Sequence, residues 1–432
     1  MKFIGSIKSK VVPCLVLMTV VVFAASCSGK GEEVDLRFGW WGNPVRNERT
    51  AAVIELFQSE HDNVFVEEWT VGWGDYWGGL ATMAAGGGLP DVVQMDWGVL
   101  DQYVASNFLV DLSPMIADRR INLVNVPQSV VELGAVGDGI YAISIGMAAL
   151  GMVYNKTLLD SLGITAGNNM SIQDFVDISR EVYSRSGVRA NMAFGDDAVN
   201  FMEILLRQHG IVMMTPEGLG GTPDHYLQFF EILRLGLDEG WHISLEETAG
   251  RQGLSQDPLV FGAQPNLRSW MAFFSSNQLI GLQSAVEDGV LLGIVTVPSD
   301  NPARSNFFRS AMYLSITSHA GNHNAAASFI NFWINSVPAN KILLTERGMP
   351  ISTEVVSAIY GNFSREDQVA AEYLDFVTAP GNSSPVNPAR PSGGGEISAQ
   401  MNYLAQGVAL GRYTPREAAQ NIFDFGNRIL RQ

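Results

Sequence analysis

The sequence predicts an α/β protein whose mostly parallel sheet is flanked by helices. The first observation is an order of strand, helix, strand, helix and strand over residues 34–95. The second is length, because removing a predicted export signal over residues 1–26 from 432 residues leaves enough chain for two domains. The third is a composition of 47% hydrophobic and 10% aromatic residues, as expected of a chain that buries a core.

The first part of the chain supplies the β-α-β-α-β order. Apolar and polar residues alternate in the first segment, which stops at Gly42-Asn43-Pro44, and helical spacing follows. A run of three glycines, residues 86–88, ends the second helix before a short buried strand. The predicted elements are a strand at 34–42, a helix at 48–59, a strand at 64–69, a helix at 75–83 and a strand at 90–95.

The rest of the chain continues in the same style. Ser171 is predicted as a helix N-cap, and Pro415 suits the first turn of the final helix because its missing N–H costs nothing there. A loop rich in Pro, Gly and Ser covers residues 379–395. The predicted elements are an extended stretch at 139–154, helices at 171–183, 201–209 and 225–239, strands at 291–297 and 312–317, and helices at 324–335, from 396 and at 415–430.

The N-terminus is predicted to direct export. Lys2, Lys8 and Lys10 precede an apolar run at residues 11–25, and small residues stand directly before Cys27. This ending resembles the bacterial lipobox, which implies that Cys27 becomes a lipid-bearing N-terminus. The alternative is an ordinary signal peptide. The apolar run is too short for a typical membrane span.

Cysteine count and charge exclude several classes of protein. The chain has 2 Cys, and Cys14 lies inside the predicted signal, so a lipid on Cys27 leaves no thiol for a disulfide or a metal. The net charge is −17, and loss of the three signal lysines makes it −20. This acidity excludes nucleic acid as a partner and favours membrane contact only through the N-terminal lipid.

Enzyme motifs are absent from the sequence. We find neither a nucleophile elbow nor a metalloprotease, phosphate-loop or dinucleotide fingerprint. The nearest histidine pair, His319 and His323, spans a predicted turn that contains Gly321 and Asn322, which is poor spacing for a zinc site. We therefore predict a protein that is not an enzyme and that needs no metal and no cofactor.

Tryptophans collect at the predicted strand ends. In open α/β sheets, ligands bind outside the carboxyl ends of the strands. A Trp ring can stack on the C–H face of a sugar, while neighbouring polar groups bind its hydroxyls. Each aromatic–polar pair alone also fits ordinary packing, but three pairs at three strand ends indicate a shared cleft. The pairs are Trp41 with Asn43, Trp73 with Asp75, and Trp97 with Asp96.

Several segments resemble family 1 of the extracellular solute-binding proteins that serve carbohydrate ABC importers, the family of maltose-binding protein. Their order and spacing carry the resemblance, which spans roughly residues 34–430. The segments are Gly87–Val93, Asp138–Ile143, Val153–Lys156, Ser171–Phe175, Ala327–Trp333 with Gly348-Met349-Pro350, and Thr414–Ala418.

The resemblance implies a two-lobed periplasmic-binding-protein fold of type II with the ligand cleft between the lobes. Each lobe is expected to contain a mostly parallel sheet flanked by helices. The crossings between lobes are expected near residues 144–147, near 312–315 and between 357 and 366. The implied division is a signal at 1–26, a tether at 27–33, an N-lobe of 34–146 plus 313–360, and a C-lobe of 147–312 plus 361–432.

The resemblance also implies a set of ligand-binding positions. Asn277 and Glu396 stand where relatives often have an aromatic residue, which leaves the size of the ligand open. Trp270 can compensate for them, or it can be a core residue. The expected ligand-binding residues are Trp41, Asn43, Trp73, Asp75, Met95, Asp96, Trp97, Met147, Asp197, Asn200, Trp270, Asn277 and Glu396.

The expected function is capture of a sugar or oligosaccharide by a lipoprotein on the outer side of the bacterial cell membrane. Its partners are then the carbohydrate and the permease subunits of an ABC importer, and the protein itself is expected to be a monomer. One alternative is a polyamine ligand held by carboxylates such as Asp75, Asp96, Asp197 and Glu396; another is a ligand sensor. An anionic ligand is less expected, because Arg46 and Arg390 are the exceptions among few basic candidates.

Overall fold

A computed structural model describes residues 33–194, 197–248, 257–260, 268–388 and 390–431. The predicted signal and the lipidation site Cys27 lie outside these ranges. The side chain of Asp197 is not among those described. None of the helices in the described ranges has the length and apolarity needed to cross a membrane.

The strands follow the predicted order. The first of them begins and ends within a residue of its predicted bounds. The strands are β1 Val34–Trp41, β2 Val64–Val71, β3 Val92–Met95, β4 Ala135–Val136, β5 Gly139–Ile140, β6 Ile143–Asn155, β7 Met214–Thr215, β8 Gly218–Leu219, β9 Met271–Ser275, β10 Leu292–Thr296 and β11 Phe308–Ile316.

Helices surround the sheet and fill the second half of the chain. Most of the long ones correspond to predicted helices, but the 14-residue helix Arg365–Thr378 was not predicted from the sequence, and most of the short ones lie in connections. The helices are α1 Pro44–Glu60, α2 Trp73–Ala85, α3 Leu100–Ala105, α4 Ser113–Ala117, α5 Gln128–Val131, α6 Lys156–Leu162, α7 Ile172–Ser186, α8 Asp197–Arg207, α9 Pro223–Asp238, α10 Leu245–Thr248, α11 Leu279–Gln283, α12 Pro302–Ser305, α13 His323–Asn335, α14 Val337–Leu343, α15 Thr353–Ile359, α16 Arg365–Thr378, α17 Gly394–Ala409 and α18 Pro415–Leu430.

Local capping explains where several helices begin. Ser171 caps α7 and forms a reciprocal capping box with Asp174, as the sequence predicted for the cap. Thr414 caps α18, which starts at Pro415 as predicted. Helix α1 begins four residues before its predicted start, because the Asn43 side chain accepts a hydrogen bond from the N–H of Arg46 and Pro44 fills the first turn.

The main sheet of the described chain has the order β10-β6-β11-β3-β1-β2, with β9 also paired to β6. Strand β1 pairs in parallel with β2 and β3, whereas β11 is antiparallel to both β3 and β6. Strands β9 and β10 are antiparallel to β6. The α/β class is confirmed. The parallel part of the sheet is the edge formed by β1, β2 and β3, and the pairings around β6 are antiparallel, unlike the parallel sheet expected for the C-lobe.

Buried side chains form two large hydrophobic clusters. The first core cluster is centred on β1, β3 and α13, with buried residues such as Phe38, Phe57 and Trp333. The second core cluster is centred on α7, α8, α9 and α18, with Phe175 and Phe229 among its members. Two cores joined by extended chain are typical of a two-lobed protein.

Strand β6 connects the two clusters. Its first half, residues 143–149, pairs with β11, and its second half, residues 150–155, lies between β9 and β10. The pairing of β6 with β11 is irregular between Ser310 and Tyr313. This irregularity lies beside the positions at which the sequence predicted the first two crossings.

A third segment packs closely against β6 at the same place. The N–H of Met147 donates to the carbonyl of Met349 at 2.7 Å, and the reverse bond is 2.9 Å. A side chain at Gly146 would meet the carbonyl oxygen of Arg347 at 2.1 Å, so only glycine allows this approach. Three stretches of chain therefore converge between the two core clusters.

Candidate functional site

An aromatic group lies at the carboxyl end of the parallel strands. The ring of Trp41, the last residue of β1, packs edge-on against Trp73 at 5.0 Å and Tyr76 at 5.2 Å, and tilted against Trp77 at 5.6 Å between centroids. Trp41 is buried, whereas Trp73 is 50% exposed. The group therefore presents one large apolar face to solvent beside the sheet edge.

Asp96 and Trp97 follow the neighbouring strand β3 at the same edge. One carboxylate oxygen of Asp96 accepts a hydrogen bond of 2.8 Å from the N–H of Gly98, which fixes the turn after the strand. Burial raises the pKa of the Asp96 carboxyl, while Arg309, the Gly98 N–H and Arg390 oppose the rise. Asp96 is thus a half-buried acceptor whose charge depends on the two arginines opposite.

Both arginines contact the ring of Trp97. The guanidinium carbon of Arg309, on β11, is 4.9 Å from the ring centroid, and that of Arg390, in the loop before α17, is 4.8 Å away. These distances are within the range of cation–π attraction. The ring of Trp97 therefore holds two cations, rather than presenting a bare surface.

The loop that carries Arg390 is held to helix α8. Glu203 lies 3.6 Å from the guanidinium of Arg390 and accepts a hydrogen bond of 2.9 Å from the Asn387 amide. One turn later, buried Arg207 donates to the side-chain amide oxygen of Asn387 at 2.5 Å and to the Ser384 hydroxyl at 2.6 Å. These bonds fix the position of Arg390 beside Trp97.

A cavity opens where the two core clusters meet. Trp97 closes it from the side of the first cluster, and the remaining lining residues belong to the second side. The space measures about 240 Å³ and is lined by Trp97, Glu203, Val212, Met213, Met214, Asn387, Pro388 and Arg390. Groups from β3, α8 and the loop before α17 thus meet around one polar and aromatic space.

A second, smaller cavity lies where β6 approaches the segment around Met349, which precedes the third crossing predicted between residues 357 and 366. It measures about 170 Å³, and Met147 and Asn277 are among the residues that line it. Both residues were predicted as ligand contacts. The structure places them beside Met349 and Leu374, away from Trp97's cavity.

Other predicted residues lie apart from this site. Met95 and Trp270 are fully buried, and Trp270 packs against Phe175 at 6.2 Å in the second core cluster. Trp270 is therefore a core residue in this structure, which was one of the two interpretations of the sequence. Asn43 is exposed and spends its side-chain oxygen on capping α1, and Asp75 is exposed in the first turn of α2.

Three predicted positions remain in the second half of the site. Asn200 is half-buried on α8, one turn before Glu203. Glu396 is exposed at the start of α17. The Asp197 side chain lies outside the described residues, so its role stays a prediction.

Arg309 and Glu203 were not predicted from the sequence as site residues, and Arg390 was noted only as a basic exception. One signal was present for Arg309, which is a charged residue within the otherwise apolar stretch Phe307-Phe308-Arg309 before a predicted crossing. Glu203 similarly interrupts the apolar face of a predicted helix. Charged residues inside apolar segments mark sites where the chain has a polar partner.

Side chains that could bind a metal ion do not cluster in the described ranges. No group of three or more His, Cys, Asp or Glu side chains there is arranged to hold a metal ion. The Nδ1 atom of His319 instead accepts a hydrogen bond of 3.3 Å from the N–H of Leu89.

Comparisons with known proteins agree with this architecture. Residues 43–230 match the family model of bacterial extracellular solute-binding proteins. This match supports the resemblance that the sequence motifs carried.

Solved structures of two-lobed solute-binding proteins share the fold. A family 1 extracellular solute-binding protein from Alicyclobacillus acidocaldarius is 24% identical, with a TM-score of 0.70 over 93% of this chain and 99% of that one. An oligogalacturonide-binding protein from Yersinia enterocolitica, in complex with digalacturonic acid, is 20% identical, with a TM-score of 0.80 over 92% and 99%. The GacH receptor of Streptomyces glaucescens is 16% identical, with a TM-score of 0.75 over 93% and 100%.

Proposed function

We propose that this chain, which matches the bacterial extracellular solute-binding proteins, is the ligand-capturing component of an ABC importer and that its ligand is a sugar. One observation carries the proposal. Trp97, at a strand end of the first core cluster, lines one cavity together with Glu203 and Arg390 from the second side, and Arg309 also contacts its ring. A ligand held there contacts both halves of the molecule.

The polar and aromatic groups divide the recognition of a sugar between them. The Asp96 carboxylate accepts hydrogen bonds from hydroxyl groups, and charged acceptors make such bonds stronger. The exposed ring of Trp73 offers an apolar face to the C–H groups of a sugar ring, and its edge contact with Trp41 holds it in place. Arg309 and Arg390 lie over the Trp97 ring, so this ring holds hydrogen-bond donors in place. The sequence had instead predicted that Trp97 stacks on the sugar.

Binding is proposed to proceed by separation and closure of two lobes. The space beside Trp97 is narrow and is lined by the bulky side chains of Trp97 and Arg390, so the lobes are proposed to part to admit a sugar. The stretches around Ser144, Met312 and Met349 are the proposed hinge. A ligand that contacts both lobes favours the closed form, because it binds that form better.

The importer role adds two proposals about location and partners. A lipid on Cys27 would hold the protein on the outer side of the cell membrane as a monomer, where permease subunits receive the closed form. A Cys27→Ser variant is then expected to leave the membrane fraction while keeping its ligand affinity, whereas a plain signal peptide predicts no change in fractionation.

The polyamine alternative is weakened by the site's charges. A polycation needs carboxylates that are free of competing cations, and Arg309 and Arg390 already face Asp96 and Glu203. A sensor role uses the same closed form, and it is distinguished by whether deletion of the protein abolishes uptake of the sugar.

Calorimetric titration of the purified protein with a panel of saccharides, polyamines and amino acids tests the proposal. We expect one saccharide class to bind, and Trp73→Ala and Asp96→Asn each to weaken it by about tenfold or more, which corresponds to about 1.4 kcal/mol. Phe65→Ala is the matched control, because Phe65 is an exposed aromatic residue on β2 whose burial pattern places it outside the aromatic group. Binding of polyamines alone would overturn the sugar proposal.

A further inference from the structure

In the described part of the chain, Arg309 lacks a close carboxylate partner, whereas Arg390 has one. Arg390 has Glu203 at 3.6 Å and the Ser398 hydroxyl at 3.4 Å. The polar contact of the Arg309 guanidinium is the Ser275 hydroxyl at 3.5 Å. Within the described ranges, no carboxylate lies within 4.0 Å of Arg309, although Asp96 and Glu203 act on it from farther away.

A guanidinium has five N–H donors in a planar fork. One long bond to a hydroxyl and a position over the Trp97 ring leave most of the donors of Arg309 unfilled by described side chains. Arg309 is nevertheless half-buried at the junction of the two core clusters, and this burial lowers the pKa of its guanidinium. A cation held in such a place, with its fork unfilled, is suited to an anion that arrives with the ligand.

The second arginine strengthens this interpretation. The guanidiniums of Arg309 and Arg390 are both within 5 Å of the centroid of one ring, at 4.9 Å and 4.8 Å. Like charges held around one side chain repel each other, and the lowered pKa of Arg309 includes that repulsion. An anion bound between or beside them would relieve it.

We propose that the ligand is an acidic saccharide, whose carboxylate is bound by Arg309 with support from Arg390 at Trp97 while its hydroxyls donate to Asp96. The proposal rests on the proposed sugar-binding function and names the class of sugar. A planar carboxylate matches the guanidinium fork in a two-bond arrangement, and neutral sugars lack this group. A polyamine has the wrong charge for the same donors.

The net charge of the protein determines where this attraction acts. The full chain carries −17, so an anionic sugar is repelled at long range. At physiological salt the Debye length is about 8 Å, so distant surface charges are largely screened and the partly buried arginines are screened less. Selection for the carboxylate therefore takes place inside the cleft.

The experiment is calorimetric titration of the purified full-length chain with sugars that differ only at C6. The acidic probes are D-glucuronate, D-galacturonate and their disaccharides, and the neutral probes are D-glucose, D-galactose and the matching neutral disaccharides. We expect an acidic probe to bind at least about tenfold more tightly than its neutral match, as charge-assisted hydrogen bonds imply.

Variants connect the preference to the arginine. Arg309→Gln is expected to weaken binding of the acidic probe by at least about tenfold more than it weakens binding of the neutral match. Arg309→Lys keeps the charge but loses the planar fork of donors. Its affinity for the acidic probe should therefore lie between those of the unchanged protein and Arg309→Gln. Arg412→Gln, which removes an exposed arginine in the turn between α17 and α18, is the matched control and should leave both affinities unchanged. Unchanged melting temperatures would establish that the variants are folded.

The possible outcomes separate this proposal from the one on which it rests. Tight binding of neutral sugars without preference for the acid would overturn the acidic class and leave the sugar function standing. Binding of an acid that Arg309→Gln does not weaken would overturn the assigned residue. Binding of no saccharide at all would overturn the sugar function and this inference together.

Discussion

Replacing Glu346 by glutamine should destabilise the protein strongly, because its carboxylate compensates two buried arginines. The side chain of Glu346 is 2.8 Å from the Arg46 guanidinium and 3.4 Å from that of Arg347. All three residues are buried. Burial lowers the pKa of Arg347 to about 9 even though Glu346 raises it. The charge of Arg347 therefore depends on the Glu346 carboxylate.

The magnitude follows from the geometry of this network. Arg347 keeps hydrogen bonds to Gln94 at 3.0 Å and to Thr50 at 2.7 Å, but neither partner carries charge. Removing one member of a buried ion pair costs about 3–5 kcal/mol. For 432 residues the unfolding entropy is about 0.9 kcal/mol/K, which converts that loss into a fall in melting temperature of about 3–6 °C.

The assay is differential scanning calorimetry of the protein and its Glu346→Gln variant at neutral pH without sugar. Glu48→Gln is the matched control, because Glu48 is exposed on α1 and the same change there should cost less than about 0.5 kcal/mol. Adding Arg46→Met to Glu346→Gln should recover part of the loss, since one uncompensated cation is removed. A loss for Glu346→Gln no larger than that of Glu48→Gln would refute the reasoning.

Two further predictions concern acid stability and the close packing at Gly146. Burial lowers the pKa of His242 from 6.5 to about 4. The stability that is present above pH 6.5 should therefore fall by about 2 kcal/mol between pH 8 and pH 5. Denaturant titrations of the His242→Gln variant should show a smaller fall. If both proteins lose the same stability, His242 is not the cause. Gly146→Ala should cost about 1–3 kcal/mol, because its Cβ would meet the Arg347 carbonyl, whereas Gly361→Ala meets nothing within 4 Å and should be nearly neutral in thermal melts. Equal melting temperatures for the two alanine variants would contradict the close packing of β6 against Arg347.

Local signals in the sequence predicted elements where the deciding contacts are local. The cap at Ser171 and the start of α18 at Pro415 follow from side chains within one helical turn, and the structure confirms both. Helix α8 begins at Asp197, four residues before its predicted start at Phe201. Hydrophobic periodicity alone marks the apolar face of a helix and does not fix its first turn.

The candidate site was predictable only on one side. Asp96 and Trp97 follow a strand, and the rule that ligands bind at the carboxyl ends of strands selects them from sequence. Arg309 lies on a strand paired to β6, and nothing near it in sequence shows that its guanidinium reaches Trp97. Trp270 was predicted as either a ligand contact or a core residue, because both kinds of tryptophan look the same in sequence. Only the structure shows that it is buried in the core.

The sequence by itself determined the α/β class, the order of most elements and the positions of aromatic and acidic residues after predicted strands, but it did not predict helix α16. These depend on periodicity, capping and strand order, which neighbouring residues encode. The tertiary structure decided which charges meet in the cleft. It brought Arg309 and Arg390 to one tryptophan from separate segments, and it placed Glu346 between two buried arginines. Such contacts depend on how distant segments pack, and the energy of a charge depends on its burial and its partners in space rather than on its neighbours in the chain.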